Sequence, residues 1–338
     1  MNLQNPRYSQ FALCREMLEV VDVIEGFQPG RTEKAASEIA ALGRLLLTGE
    51  GSSRLFPAKN AIRKALTWGV DLQVITDGSR QASSYDLSRF ATFAASNSGQ
   101  TKEVVKLLQK LHSEGNSACY GLTAKEDNLL NEYATETFVL TCGWENAVAA
   151  TKSVAEQALF YQSIISHIAG RDMKTEMEGL SEKVRHVLSM EIDPEFVNAA
   201  SEAGHIYFAG FNDGVAEELT LKTNEITRRV SDYLEGTYAV HGIEEVMDSK
   251  DIVFVIEPFI EELPKFKEVL VDGVGLQVVV ISTEPTGLPT ILVPDAGEMN
   301  PYVLLATGWN LLVEIGLALD INLDKPERAR KVGNLFEG

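Results

Sequence analysis

Short bursts of apolar, β-branched and aromatic residues punctuate this chain, and between them lie longer stretches in which apolar positions return every three or four residues. The bursts suit buried strands and the longer stretches suit amphipathic helices, so the alternation predicts parallel sheets covered by helices on both faces. In the first half the strands fall at Leu45–Thr48, Leu72–Thr76, Ala91–Ala95, Ala118–Thr123 and Thr137–Leu140, separated by helices such as Ala58–Thr67 and Thr101–His112. The second half places strands at Ile206–Ala209, Ile252–Ile256, Gln277–Ser282 and Ile291–Val293, with long helices at Val215–Arg228 and Pro301–Leu317. The expected class is α/β.

The two sets of bursts share a frame. The strand ending at Thr48 lies 161 positions before the strand ending at Ala209; Ser96 lies 161 before Glu257, and Tyr120 lies 160 before Val280. A duplicated domain accounts for this offset, with chance similarity of two doubly wound domains as the alternative. The expected division is residues 1–170 and 171–338. An opening helix from Phe11 to Ile24 is an addition to the first domain, and the charged stretch Ala169–Asp193 is the connection.

Composition agrees with two domains: 338 residues at 45% hydrophobic are enough for two cores of about 150 residues each. The formal charge of −19 argues against nucleic acid or an anionic membrane surface as a partner, since both are repelled at long range. Cys14, Cys119 and Cys142 are odd in number and widely spaced, which fits neither a disulfide framework nor a zinc site and favours a reducing compartment, the cytoplasm. The opening residues lack a signal pattern, and no apolar run is expected to approach the roughly 18 residues of a bilayer span.

Two loops in the first half suit an anion. Gly49-Glu50-Gly51-Ser52-Ser53 and Ser96-Asn97-Ser98-Gly99-Gln100-Thr101 each follow a strand and precede a helix, where free N–H groups favour negative charge and small hydroxyls add donors. Ordinary helix capping by Ser and Thr is the alternative. The position in the second half that corresponds to Ser96–Thr101 reads Glu257-Pro258-Phe259-Ile260-Glu261-Glu262, which repels phosphate, so one phosphate site per chain is expected, in the first half.

These loops, together with Gly143-Trp144-Glu145-Asn146-Ala147-Val148-Ala149-Ala150-Thr151-Lys152, resemble the sugar isomerase (SIS) domain family. From about Arg15 to Lys331 the chain is similar to the two-domain isomerase module of the glutamine–fructose-6-phosphate aminotransferases. The resemblance implies two tandem SIS domains, each a flavodoxin-like parallel sheet sandwiched by helices. It implies that Ser53, Ser96, Asn97, Ser98 and Thr101 hold a sugar phosphate and that Val148 lines the sugar through its backbone. Glu225 stands sixteen residues before His241-Gly242, the family's spacing for its proton-transfer glutamate and ring-opening histidine, and the same register puts Glu218 against the sugar and Lys222 near the reacting carbons. Residues 218, 222 and 225 share one helix face, although an exposed helix with i,i+4 ion pairs would read the same. Lys331, in Asp324-Lys325-Pro326-Glu327-Arg328-Ala329-Arg330-Lys331, matches the family's Schiff-base lysine.

Three positions depart from the family's pattern: Asn97 where it has glutamine, Ile243 where proline is common, and Arg330 where it has a small residue. Asn2 stands where a glutaminase domain would present its cysteine, so the resemblance implies that glutamine is not the nitrogen source. The activity implied is aldose–ketose isomerisation of a sugar or amino-sugar 6-phosphate, with deamination as a variant, by a homodimer whose shared sites exchange the histidine. A fructosamine-6-phosphate-type deglycase and a non-catalytic sugar-phosphate sensor are the alternatives. No metal or other cofactor is expected.

Overall fold

The computed structural model describes residues 1–337. It contains two five-stranded parallel sheets. The first holds β1 (Arg44–Gly49), β2 (Gln73–Gly78), β3 (Ala91–Ala95), β4 (Cys119–Thr123) and β5 (Glu136–Val139) in the order β2-β1-β3-β4-β5. The second holds β6 (Ile206–Gly210), β7 (Ser231–Glu235), β8 (Ile252–Ile256), β9 (Gln277–Ser282) and β10 (Thr290–Leu292) in the order β10-β9-β8-β6-β7. Read from the β7 edge, the second sheet repeats the order of the first, the doubly wound arrangement with its switch point between first and third strands.

The repeat extends to register. Thr48 lies opposite Ala94, and Ala209 lies opposite Val255, each pair offset by the same 161 positions. Gly49 and Gly210 close the two first strands, and a Cβ on either would come within 2.9 Å of a third-strand carbonyl, that of Ala95 or Ile256. The backbones meet too closely there for a side chain. At the fourth strand the expected offset of 160 is corrected: Phe93 pairs with Tyr120 and Phe254 with Val279, giving 159. The second half is therefore two residues shorter between its third and fourth strands, since 161 − 159 = 2.

The division differs from 1–170 and 171–338. One compact unit comprises residues 22–145, 150–178 and the chain from Arg330, and holds the first sheet; the other comprises residues 1–21, 146–149 and 179–329, and holds the second. The opening helix Ala12–Gly26 thus starts in the second-sheet unit. Asp324 explains its place, because the carboxylate accepts the N–H groups of Ala12 and Leu13, both at 2.8 Å, at the positive end of the helix. Tyr8 and Arg7 hold Glu314 at 2.7 and 2.9 Å in the same unit. The tail, in turn, pairs with the first-sheet unit: Leu335 bridges Thr101, Lys102 N–H donates to Asn334 O at 3.1 Å, and Phe336 packs on that unit's core.

Other elements depart from the sequence expectation for local reasons. Strand β7 was not expected, since Ser231-Asp232-Tyr233-Leu234-Glu235 is a half-exposed edge strand with only two buried positions. Helix Lys152–Ala169 is buried almost throughout, and its polar side, with Lys152, Ser153, Glu156, Gln157 and Ser163, is covered as well instead of facing water. Its counterpart, expected at Pro301–Leu317, runs Asn300–Ala318. The stretch Gly297–Ala318 is long and apolar enough to cross a membrane, contrary to the expectation of no such run, but 83% of its most apolar window is buried, as in a core helix. The helix expected over Val215–Arg228 ends at Lys222, widens into a π-turn over Thr223–Thr227 and stops at Arg228 in the left-handed region.

Candidate active site

In the first-sheet unit, β3 delivers the Ser96–Thr101 loop to the carboxyl edge of the sheet. Ser96 N–H donates to Leu122 O at 2.9 Å and Ala124 N–H to Asn97 O at 3.1 Å, which ties the loop to β4 and the segment after it. Gly99 turns the chain at φ 68°, and a Cβ there would lie 2.3 Å from Asn128 Cβ, so only glycine fits. The hydroxyls converge: Ser96 Oγ lies 2.8 Å from Thr101 Oγ1 and 3.4 Å from Ser98 Oγ. Thr101 and Gln100 N–H groups donate to Ser96 and Ser98 Oγ, each at 3.2 Å. Thr101 stands at the N-cap of helix Lys102–Ser113, yet its side chain makes no capping bond. Its hydroxyl serves the loop, and the serine oxygens accept N–H groups that an anion's oxygens could accept instead.

Ser53 closes the 3₁₀ turn Gly51–Ser53 after β1, and its carbonyl accepts from Gln157 Nε2. The Glu50 carboxylate in the same loop turns toward β2, accepting Ser79 N–H at 2.9 Å; burial raises its pKa, against the pull of that hydrogen bond.

Glu145 is the residue that residue-type reasoning passed over, although it stands inside the Gly143–Lys152 segment. It is fully buried, and its Oε1 accepts Thr151 and Lys152 N–H groups at 2.6 and 3.0 Å at the N-terminus of helix Lys152–Ala169. Its Oε2 accepts the Ser153 hydroxyl and the Asn97 side-chain amide, the latter at 3.3 Å. Lys331 Nζ lies 3.7 Å from the same oxygen. One carboxylate therefore joins the loop residue Asn97 to the tail lysine, and the Lys331 side chain is only 17% exposed rather than solvated. Asn97 Oδ1 is buried without a hydrogen-bond partner.

The second-sheet unit gathers the candidate acid–base residues. Lys222 Nζ lies 3.1 Å from Glu218 Oε1 and 2.8 Å from Glu225 Oε2, with Lys222 and Glu218 fully buried and the Glu225 side chain 25% exposed. This rules out the solvated helix, because exposed ion pairs do not bury their charges. Burial alone lowers the pKa of Lys222, but the carboxylates of Glu225 and Glu218 outweigh it and hold the pKa above its ordinary value. Glu218 Oε2 is buried with no hydrogen-bond partner, an acceptor suited to a ligand hydroxyl. The π-turn sets Glu225 at the end of the helix, and such wide turns recur at functional sites.

The remaining two residues of this unit stand apart from that cluster in their contacts. His241 follows the 3₁₀ turn Tyr238–Val240 and is exposed, its N–H donating to Tyr238 O at 3.1 Å. Val148 lies in the four-residue segment Asn146–Ala149, its N–H donating to Asp324 O at 3.4 Å. The buried Glu16 carboxylate holds this segment by accepting the N–H groups of Asn146 and Ala147. All three cysteines are buried and free, and no group of three metal-ligating side chains is present among the described residues.

Two lobes with one strand order, a hydroxyl loop on the first and a Glu-Lys-Glu cluster on the second, can be set beside known proteins. The C-terminal domain of glucosamine-fructose-6-phosphate aminotransferase from Francisella tularensis superposes with a TM-score of 0.75 at 15% identity, covering 94% of this chain and 98% of that one. The chain has the tandem sugar-isomerase fold. The same fold occurs in the tagatose-6-phosphate ketose/aldose isomerase of Escherichia coli, with a TM-score of 0.75 at 17% identity over 95% of this chain and 97% of that one. It occurs again in the glucosamine-6-phosphate deaminase of Thermotoga maritima, with a TM-score of 0.74 at 20% identity over 97% and 100% of the two chains. In sequence, this tandem sugar-isomerase chain is homologous to the glutamine–fructose-6-phosphate aminotransferase [isomerizing] of Aeropyrum pernix, 24% identical over 88% of its length. It spans about half, 52%, of that relative. No protein-family model matches the sequence.

Proposed function

We propose that this chain is a phosphosugar isomerase that takes a sugar or amino-sugar 6-phosphate and moves a proton between the first two carbons of the open chain. The observation that carries the reading is the burial of Lys222 between Glu218 and Glu225. Desolvating an ammonium and two carboxylates costs several kcal/mol, and packing apolar residues there would serve stability better. A charged cluster kept at that cost, beside a turn that presents a carboxylate, suits chemistry on a polar ligand.

Each role rests on the chemistry of its group. Ser53, Ser96, Asn97, Ser98 and Thr101 take the phosphate through hydroxyl, amide and backbone donors. Glu225 carries the proton between C1 and C2 as general base and acid, while the Lys222 ammonium stabilises the enolate oxygen that forms between them. Glu218 Oε2 accepts a sugar hydroxyl, and the Val148 segment lines the sugar. His241, exposed in its own chain, opens the ring in a homodimer where the partner's His241 reaches the site, with the cytoplasm as the setting. Lys331, once its ion pair with Glu145 has opened and its ammonium has given up a proton, condenses with the carbonyl of the open-chain ketose to a Schiff base, the carbonyl oxygen leaving as water. The relatives bear names that concern ketose or amino-sugar 6-phosphates, which supports this substrate class and keeps deamination beside simple isomerisation.

The test is a screen of 6-phosphorylated ketoses, amino sugars and fructosamine conjugates for isomers, ammonia and released amine. Isomer formation supports the first reading, and ammonia from an amino sugar its deaminating form. Amine release from a conjugate alone makes the chain a deglycase, and saturable binding without turnover makes it a sensor. In the active pair, Glu225→Gln is expected to lower turnover by about 10²- to 10⁴-fold while sparing binding; unchanged turnover would remove Glu225 from its role.

A further inference from the structure

Beside the catalytic turn, within the second-sheet unit, lies a cavity of about 780 Å³ that none of the roles above uses. Its size falls within the range of small-molecule sites. Its walls come from the end of the π-turn, at Asn224 and Arg228, from the Asp320–Asn322 corner, and from the start of the tail at Lys325–Ala329. Charge makes it unusual: the chain carries 30 basic and 49 acidic residues, yet this cavity is lined by three cations, Arg228, Lys325 and Arg328, against Asp320 and Glu327. No carboxylate lies within ion-pair distance of Lys325 or Arg328 among the described residues.

Arg228 is anchored for such a task. Its guanidinium donates to Ile226 O and to Asn322 O at 2.5 and 2.6 Å, which clamps the turn that carries Glu225 to the corner at the root of the tail. Its backbone sits at φ 55°, a conformation that costs an arginine free energy and persists where the surroundings hold it. A guanidinium fixed by two carbonyls keeps N–H donors in a set direction, and two unpaired cations stand on the segment opposite.

We propose that this cavity is a second anion site, distinct from the Ser96–Thr101 loop, which takes a small molecule bearing a carboxylate or a phosphate. An anion there joins Arg228, at the end of the catalytic turn, to Lys325 and Arg328, so its occupancy bears on how firmly the segment Lys325–Ala329 is held to that turn. The site takes the charge that the acidic surface elsewhere repels.

The experiment uses the full chain and two probes, citrate and inorganic phosphate, at matched ionic strength, with calorimetry and thermal unfolding as readouts. It is run in the Ser98→Glu background so that the first loop does not compete. Saturable binding and a raised melting temperature are expected with at least one probe, weakened about tenfold or more in Lys325→Ala/Arg328→Ala, as the loss of charge-assisted bonds requires. Tighter citrate assigns a carboxylate ligand and tighter phosphate a phosphate ester. No saturable binding, or binding unchanged by the double substitution, overturns the proposal. The outcome is independent of the isomerase reading, because Lys325 and Arg328 have no part in it and no turnover is measured.

Discussion

The loops that follow β3 and β8 occupy the same place in two copies of one sheet and have opposite character. After β3, Ser96, Ser98 and Thr101 turn their hydroxyls inward and a regular helix, Lys102–Ser113, begins at once. After β8, Glu257 takes φ 44° and accepts from Asn300 Nδ2 at 3.4 Å, Phe259 packs on Phe211, and Ile260 is 49% exposed. The helix after this loop is broken into a 3₁₀ turn at Ile260–Glu262, one α-turn at Leu263–Phe266 and a π-segment at Lys267–Val274. The sheet does not require a hydroxyl loop to fold; one copy has lost it while strand order and register persist. On the proposed function the first copy's loop serves a ligand, while in the second copy the buried polar cluster, Glu218, Lys222 and Glu225, follows β6 instead.

The comparison is broken most severely by making the first loop like the second. Ser98→Glu places a carboxylate among the proposed phosphate donors, and like charges so placed cost several kcal/mol, so sugar-phosphate affinity is expected to fall about 10³- to 10⁴-fold by calorimetry. Retained affinity would show that the hydroxyl loop does not hold the anion.

Next in size is Lys222→Ala, which strands two carboxylates around a buried hole. Urea unfolding is expected to show a loss of about 3–5 kcal/mol, with Lys222→Met clearly milder because it fills the space. Since the folded pKa of Lys222 lies above its ordinary 10.5, its contribution is fully present below that value and fades only as the pH rises toward the higher folded one. Lys222 itself should therefore add no pH dependence to wild-type stability from neutral to mildly alkaline pH, whereas in Lys222→Met the stranded carboxylates resist ionisation, so the gap should widen as the pH rises; a gap that widens as the pH falls would contradict the ion cluster.

The two turns themselves should answer in opposite directions. Gly99→Ala forces a side chain into Asn128 at a left-handed φ, at a cost of about 1–3 kcal/mol and a matching loss of phosphate affinity. Glu257→Gly relieves a left-handed glutamate and is expected to change stability by less than about 1 kcal/mol, toward stabilisation, with ligand affinity untouched. The smallest effect is expected from Glu16→Gln, which weakens the hold on Asn146 and Ala147 and should raise KM a few-fold, by about 1 kcal/mol, with kcat nearly unchanged. A fall in kcat alone would place Glu16 elsewhere in the cycle.

The strands with continuous apolar faces, β3, β6, β8 and β9 among them, were legible because both sheet faces are covered and nearly every such position is buried. Edge strand β7 and the largely buried helix Lys152–Ala169 were not, since one is half polar and the other covers its polar side as well as its apolar one. The shared face of residues 218, 222 and 225 followed from helical spacing, whereas their burial did not, because spacing is blind to what packs over a face. Glu145 escaped for a related reason: its partners Asn97, Ser153 and Lys331 lie up to 186 positions away and only the folded chain assembles them. The exchange of the opening helix and the tail between units likewise depends on long-range contacts, Asp324 with Ala12 and Asn334 with Lys102, that no local pattern encodes.

The central claim is most directly tested by a crystal structure with a ketose 6-phosphate bound. The phosphate is expected to lie within hydrogen-bond reach, about 3 Å, of Ser96, Ser98 and Thr101, with the first two sugar carbons beside Glu225 and nothing bound at residues 257–262. A phosphate seated at the second loop, or one at the first loop with the Glu225 carboxylate facing solvent away from the sugar, would contradict the account.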